Sequence, residues 1–373
     1  MTDLEQKRIT TSPQIHRTAS TASVMWSVSA CLLPAAIWGI YAFGTSGLAV
    51  LLVSIGSAVV FELGINVALK RHTIMDGSAF LTGLLIGFNL PPGIPVYIPV
   101  IAALFAIGVV KWTFGGLGAN WMNPALSGRV FVFFSWTGHM TSWKTPSMLV
   151  DSVSAATPLS TIKSGLFNYS GNAGGPMELL GELGFPHSAS DGKITDFLGR
   201  IIEPLGGTVH PGYGDYFLGN MSGSVGEVSA LLLLLGTVYL FTKKIISWHI
   251  PVSYLATFGI LVWVFGGLQF NGGFFAGNTV FHLITGGLIL GAFYMATDMV
   301  TSPLTAKGML IFGIGAGFFT YLIRFFGSFP EGVSLAIILM NVFVPLINRY
   351  TGPKRFGVQT KPSKGSAGEE NSS

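Results

Sequence analysis

Thr157 and Pro158 lie together in the stretch "DSVSAATPLSTIKSG", Asp151 to Gly165, in the longest hydrophilic segment of an apolar chain. Threonine is a good helix N-cap, and proline is favoured at the first helical position. The pair predicts a helix of about two turns over "PLSTIKSG", ended by Gly165. A helix N-terminus offers unpaired N–H groups and partial positive charge, so it binds phosphate readily. A phosphate esterified to the Thr157 hydroxyl would sit at that N-terminus. Asp151 opens the stretch, and Ser154, Ala155 and Ala156 are small enough to let a modifying enzyme or a flat ring approach. An ordinary capped turn on a surface loop has the same local pattern.

Other polar residues stand inside apolar runs. Glu62 is an intramembrane acid on this reading, and such acids are costly to bury. It marks an ion path, a cofactor contact or a hydrogen bond to a neighbouring helix. Arg129 lies about 9 Å into its helix at 1.5 Å per residue. It either counters a cofactor's charge or, as the reading favours, snorkels to the interface. Asp298 reads as a cap or salt-bridge partner, and His282 as a satisfied core residue.

The elements that position these residues follow from composition. Half of the 373 residues are hydrophobic and only 10% are charged, whereas soluble domains carry about 25% charged residues. Apolar runs cover 23–43, 46–69, 76–91, 94–113, 123–140, 226–243, 249–268, 279–297, 308–326 and 331–348. They predict an all-α polytopic membrane protein with about ten transmembrane helices. Of the 50 glycines, 23 fall within these runs, where small residues let membrane helices approach closely. The single cysteine, Cys31, excludes an internal disulfide and a cluster held by four thiolates. The 7 histidines show no metal-ligand spacing. Electrons moved by this chain would travel on an organic cofactor.

Basic residues collect at alternate turns and at both ends, from Lys7 and Arg8 through Lys70, Arg71, Lys111, Lys243, Lys244 and Lys307 to the tail after Arg349. Between 141 and 225 the bases are Lys144, Lys163, Lys193 and Arg200, outnumbered by acids. The positive-inside rule then puts both termini in the cytoplasm and 141–225 outside. The net charge of +4 reflects this topology, not a nucleic-acid surface. The expected organisation is a cytoplasmic segment 1–22, a first five-helix repeat 23–140, an outward loop 141–225, a second five-helix repeat 226–349 and a disordered cytoplasmic tail 350–373. Five helices per half force the second half to enter the membrane inverted. "LTGLLIGF" (81–88) echoes "LITGGLILGAF" (283–293), each in the third run of its half. Short or Gly/Pro-interrupted helices at matching positions point to a site where inverted repeats meet.

The pattern Asp-x-x-Ser-x-Ala-Thr-Pro-Leu from Asp151 to Leu159 resembles the flavinylation motif of one family of membrane subunits. That family includes the D subunit of the Rnf ion-translocating ferredoxin:NAD oxidoreductase and the B subunit of the sodium-pumping NADH:quinone reductase. The resemblance covers nearly the whole chain: "SPQIH" (12–16), "ACLLPAAIWGIYAFG" (30–44), "NPALSGRVFVFF" (123–134), "HLITGGLILGAFYMATDMVTSP" (282–303) and "NVFVPLINRYTGPKRFG" (341–357). The first and last of these favour the Rnf side. Ala155 departs from the motif, where Gly or Thr is common, but it remains small.

The resemblance implies FMN joined to Thr157 through a phosphoester, installed by a flavin transferase outside the cytoplasm. It implies riboflavin held non-covalently towards the cytoplasmic side, with the turns "NPALSGR" and "ATDMVTSP" as candidate contacts. It implies a multi-pass subunit of the inner membrane with the fold of two inverted five-helix repeats, similar to urea transporters. The subunit would work only within its complex, beside the other covalent-FMN subunit, relaying electrons coupled to Na+ or H+ translocation. Three alternatives remain: the quinone-reductase subunit, a channel or transporter without redox chemistry, and an anchor for other subunits.

Overall fold

The computed structural model describes residues 20–71, 73–146, 156–168, 174–188, 191–193, 195–196, 200, 210–227, 229–329 and 331–352. Asp151, Ser154 and Ala155 lie outside the described residues, as do 1–19 and the tail from 353. Among the described residues all regular structure is helical. Four helices are long and apolar enough to cross a membrane: Thr21–Leu69, His249–Phe270, Ala306–Phe326 and Val333–Thr351. Shorter apolar helices cover Ser78–Phe88, Tyr97–Trp112 and Ala230–Thr242.

The first helix, α1 (Thr21–Leu69), has 49 residues. Straight, it would measure about 73 Å, more than twice a bilayer's hydrocarbon core. Gly44 breaks it, with φ 63° and ψ −144°, into arms that coincide with the first two apolar runs. The turn between those runs is one residue long because glycine accepts positive φ. Helix α2 (Ser78–Phe88) ends just before Pro91 and Pro92, which cannot donate to a helical ladder. Helix α3 (Tyr97–Leu104) continues as a π-helical stretch, Phe105–Trp112. Helix α4 (Pro124–Ser135) begins at Asn123, whose Oδ1 accepts from the N–H of Ala125 at 3.0 Å and of Leu126 at 3.3 Å.

The described part of the hydrophilic segment includes the short helices α5 (Pro158–Asn168), α6 (Pro176–Glu182) and α7 (Tyr213–Leu218). Gly165 does not end α5, which runs three residues further. A side chain at 165 would place Cβ 2.8 Å from Leu183 Cδ1, so this glycine serves the packing of α5 beside α6 rather than a C-cap. Helices α8 (Ala230–Thr242) and α9 (His249–Phe265) follow. The next apolar run is broken into α10 (Thr279–Ile284) and α11 (Leu288–Leu290), the latter extended by a π-helical turn, Gly291–Met295. Gly286 and Gly287 make the break, with φ of 72° and 67°. Helices α12 (Ala306–Phe326) and α13 (Val333–Thr351) complete the chain.

Both interrupted runs, α2 and α10–α11, leave backbone groups that apolar surroundings penalise heavily. After α2, the N–H groups of Gly226 and Val225 donate to the carbonyls of Phe88 (3.1 Å) and Leu90 (3.2 Å). After α10, Arg324 donates to the carbonyls of His282 (2.7 Å), Thr285 (3.4 Å) and Gly286 (3.2 Å). One apolar core runs through the bundle. A second, containing Phe43, Leu159, Ile162, Leu180, Phe185, Tyr216 and Phe281, seats α5, α6 and α7 on it.

Candidate functional site

Thr157 caps α5 as its sequence requires. Its Oγ1 accepts from Ser160 N–H at 3.2 Å and donates to Ser160 Oγ at 3.0 Å, while its carbonyl accepts from Thr161 N–H at 2.9 Å. It is not a displayed surface residue: it is 5% exposed, because α5 lies on the bundle through Leu159 and Ile162. Ala156 beside it is half-buried. Thr157 lines a small cavity of about 20 Å³ with Ser222, Ser224, Glu227, Gly286, Gly287 and Glu331. An adjoining cavity of about 270 Å³ shares Leu159 and is lined by Lys163, Gln269, His282 and Arg324.

Charge is concentrated around the smaller cavity. Arg129 Nη1 lies 3.5 Å from Glu227 Oε1, and Arg129 also pairs with Glu331 and donates to Ser334 Oγ. It is 6% exposed. The expected snorkelling is therefore wrong: the guanidinium turns inward because two acids from the second half meet it. Arg324, also buried, crosses the face of Phe258 at 5.0 Å and fills the break after α10. His282 is not the satisfied core residue expected, since its buried Nδ1 lacks a hydrogen-bond partner. Lys163 on α5 donates to the carbonyls of Arg324 (3.2 Å), Phe329 (3.0 Å) and Gly327, holding the end of α12. Burial first, and the Arg324 charge second, hold its ammonium below the usual lysine value.

A third cavity, about 90 Å³, lies where the turns before α4 and after α11 meet. Ser78, Lys111, Asn120, Asn123, Thr297 and Asp298 supply its polar groups, and Leu81, Leu85, Phe293 and Tyr294 are among its apolar walls. A few convergent polar groups on apolar walls are the usual make-up of a small-molecule site. Asn123 is fixed by the N–H groups it caps and by donation to Met295 carbonyl at 3.3 Å. Asp298 caps its own turn, accepting from Val300 N–H (3.4 Å) and Thr301 Oγ1 (3.0 Å). Gly287 at the start of α11 lines the Thr157 cavity, and Thr297 beyond its end lines this one. About 15 Å of helix separates the two positions at 1.5 Å per residue.

Glu62 stands near this end of the bundle. Its carboxylate accepts from Lys111 Nζ at 2.9 Å on both oxygens, from Trp112 Nε1 at 2.9 Å and from Thr73 Oγ1 at 2.8 Å. Lys111, 2% exposed, also donates to Ser78 Oγ at 2.7 Å. Sequence reasoning treats Lys111 as a topology charge and misses it as the partner of Glu62. It also misses Glu227, Glu331 and the carbonyl-binding role of Arg324. A lone arginine in an apolar run implies a buried acid somewhere, but nothing local says which.

These features define a helical membrane protein with internal cavities at the two ends of a broken helix, one of them bordered by a capping threonine. The chain belongs to the NQR2, RnfD, RnfE family, whose model matches residues 8–357. It is 44% identical over 353 residues, 94% of this chain and 96% of the relative, to the D subunit of a proton-translocating ferredoxin:NAD(+) oxidoreductase complex of Clostridium ljungdahlii. It is 40% identical over 351 residues, 94% of this chain and 95% of the relative, to the D subunit of the Na(+)-translocating complex of Acetobacterium woodii. With the D subunit of an ion-translocating oxidoreductase complex of Stutzerimonas stutzeri the identity is 37%, over 91% of this chain and 93% of the relative.

Proposed function

We propose that this chain is the D-type membrane flavoprotein subunit of an Rnf ion-translocating ferredoxin:NAD oxidoreductase. It carries FMN as a phosphoester on Thr157 and riboflavin in the Asn123 cavity. The observation that carries the reading is the position of Thr157: a helix-capping hydroxyl at a cavity that opens on the same broken helix as the Asn123 cavity.

The residues present fit both groups. At Thr157 the α5 N-terminus favours a phosphate, and Arg129 and Arg324 offset the two acids nearby. The adjacent cavity of about 20 Å³ is far too small for a mononucleotide, so the ring would lie beyond it. Because Thr157 is buried, attachment by a flavin transferase would precede the docking of α5 or require α5 to lift. In the Asn123 cavity Asn120 and Asn123 would offer amide donors and acceptors, Thr297 a hydroxyl, and Phe293 and Tyr294 apolar walls. Bound flavins supply the redox chemistry, while the chain orients them, excludes water and sets the local field. On this reading the chain works beside the other covalent-FMN subunit, in the inner membrane, with both termini cytoplasmic and 141–225 outside. Ten spans in two inverted five-helix repeats account for the matching positions of the two interruptions. The relatives named for H+ and for Na+ leave both ions as candidates for coupling.

Wild type and Thr157→Ala, each made with a flavin transferase, are compared on a denaturing gel under ultraviolet light. Acid-extracted flavin is measured in parallel. A fluorescent wild-type band that goes dark in the variant, with extractable riboflavin kept in both, is expected. A dark wild-type band, with the transferase active on another acceptor, would overturn the covalent assignment. A colourless wild-type protein would favour the channel reading.

A further inference from the structure

We propose that His187, Asp191 and Asp215 form a Zn2+ site in the segment between α5 and α8, distinct from both cavities. One ligand atom from each residue lies within 4.8 Å of the other two. The histidine spacing in the sequence indicates no metal set, because the other ligands are carboxylates and one comes from α7, further along the chain.

Asp191 and Asp215 are each 1% exposed, and among the described residues neither is in an ion pair. Asp191 accepts from Gly212 N–H at 2.6 Å, Asp215 N–H at 3.1 Å and Thr195 Oγ1 at 3.3 Å. Asp215 accepts from Ser188 N–H at 2.6 Å, Asn220 Nδ2 at 3.0 Å and the Ser188 hydroxyl. These bonds leave lone pairs free on both carboxylates. Two adjacent acids sealed from water remain costly until a cation joins them.

A second observation is independent of the acids. Three buried polar atoms without a hydrogen-bond partner belong to His187 and to residues next to or bonded to Asp215: His187 Nδ1, Tyr216 Oη and Asn220 Oδ1. Asn220 and Tyr216 are nearly or fully buried. Asn220 holds Asp215 through its other amide atom, and the Tyr216 ring lies 6.4 Å from that of His187. Orphaned atoms of this kind call for a missing partner. The surroundings are rich in acceptors and, among the described residues, no ammonium or guanidinium pairs with either acid, so the missing partner is a cation. A mixed imidazole and carboxylate set suits Zn2+. Gly212 makes room for the His187 ring: a Cβ there would stand 2.7 Å from His187 Cε1 and 3.0 Å from Nδ1. The metal would tie 187–191 to 212–220. Phe185 and Tyr216 of those stretches pack in the same apolar cluster as Leu159 and Ile162 of α5, so the site staples the base on which the Thr157 helix rests.

The test uses the purified full-length protein. Metal content is measured by mass spectrometry after dialysis against micromolar Zn2+, Ca2+ or Mg2+. Protection of the segment between α5 and α8 from protease is followed with chelator and after metal is restored. The structure expects one Zn2+ per chain, cleavage with chelator, and recovery with Zn2+. His187→Gln and Asp191→Asn should lose the metal. The wild-type chelation experiment needs no variant to fold. A wild type that holds no Zn2+, prefers Ca2+, or stays equally protected with chelator would overturn the assignment. So would variants that keep the metal.

Discussion

Arg129→Met removes the one cation that joins both halves of the protein at the Thr157 cavity. Methionine keeps much of the side-chain volume and deletes the charge. Two acids then lose their partner: Glu227, 3.5 Å away, and Glu331, in closer contact. Breaking a buried ion pair by removing one partner costs about 3–5 kcal/mol, chiefly from the charge left behind. Arg324, in the adjoining cavity on the far side of Gly286, acts on Glu227 through its charge and limits the loss there. The expected destabilisation is therefore about 3–5 kcal/mol rather than double that. Arg129→Lys keeps the charge but not the fork, and should cost about 1.5–3 kcal/mol, the worth of a hydrogen bond to a charged group. Adding Glu227→Gln and Glu331→Gln to Arg129→Met should recover most of the stability, because no unpaired charge remains. The assay is reversible denaturation of the purified protein in detergent micelles. Arg129→Met within about 1 kcal/mol of wild type would refute the reasoning, since no buried pair with this geometry should be that cheap to break.

Lys111→Met should destabilise by about 3–5 kcal/mol by stranding Glu62, and the double variant with Glu62→Gln should recover most of it in the same assay. Asn123→Ala removes the α4 N-cap, at a cost of about 1 kcal/mol, and on the proposed reading it lowers the riboflavin recovered by acid extraction. Unchanged flavin would remove Asn123 from that site. Gly287→Ala meets two penalties: a left-handed backbone costing about 1–2 kcal/mol, and a Cβ 2.5 Å from the Glu227 carboxyl. Wild-type stability in this variant would show that the break after α10 is not rigid.

Local signals are legible in the sequence. Thr157 and Asn123 each precede a proline and cap a helix, and Pro91–Pro92 and Gly286–Gly287 mark the interrupted runs. Gly44 reads in the sequence only as the end of a run, yet it is the whole turn between two arms. Gly165 looks like a stop signal and instead permits close packing, because a glycine's role depends on the neighbour it faces. The burial of Thr157 is invisible in the sequence because it follows from α5 docking on α10, far away in the chain. The same holds for Arg129 and Glu62. Sequence identifies a costly buried charge, but its partner is set by packing between distant helices.

The backbone bonds from Val225 and Gly226 to Leu90 and Phe88 also have a consequence for biosynthesis. The carbonyls that end α2 are finished by residues translated only at the end of the long hydrophilic segment. While the first half waits in the membrane, those groups lack their native partners, at several kcal/mol for each one left unsatisfied in lipid. The nascent chain must therefore hold α2 near water, a chaperone or a temporary neighbour until the later residues arrive. Termination within the hydrophilic segment would leave a fragment unable to close its own interior, and so readily recognised by quality control.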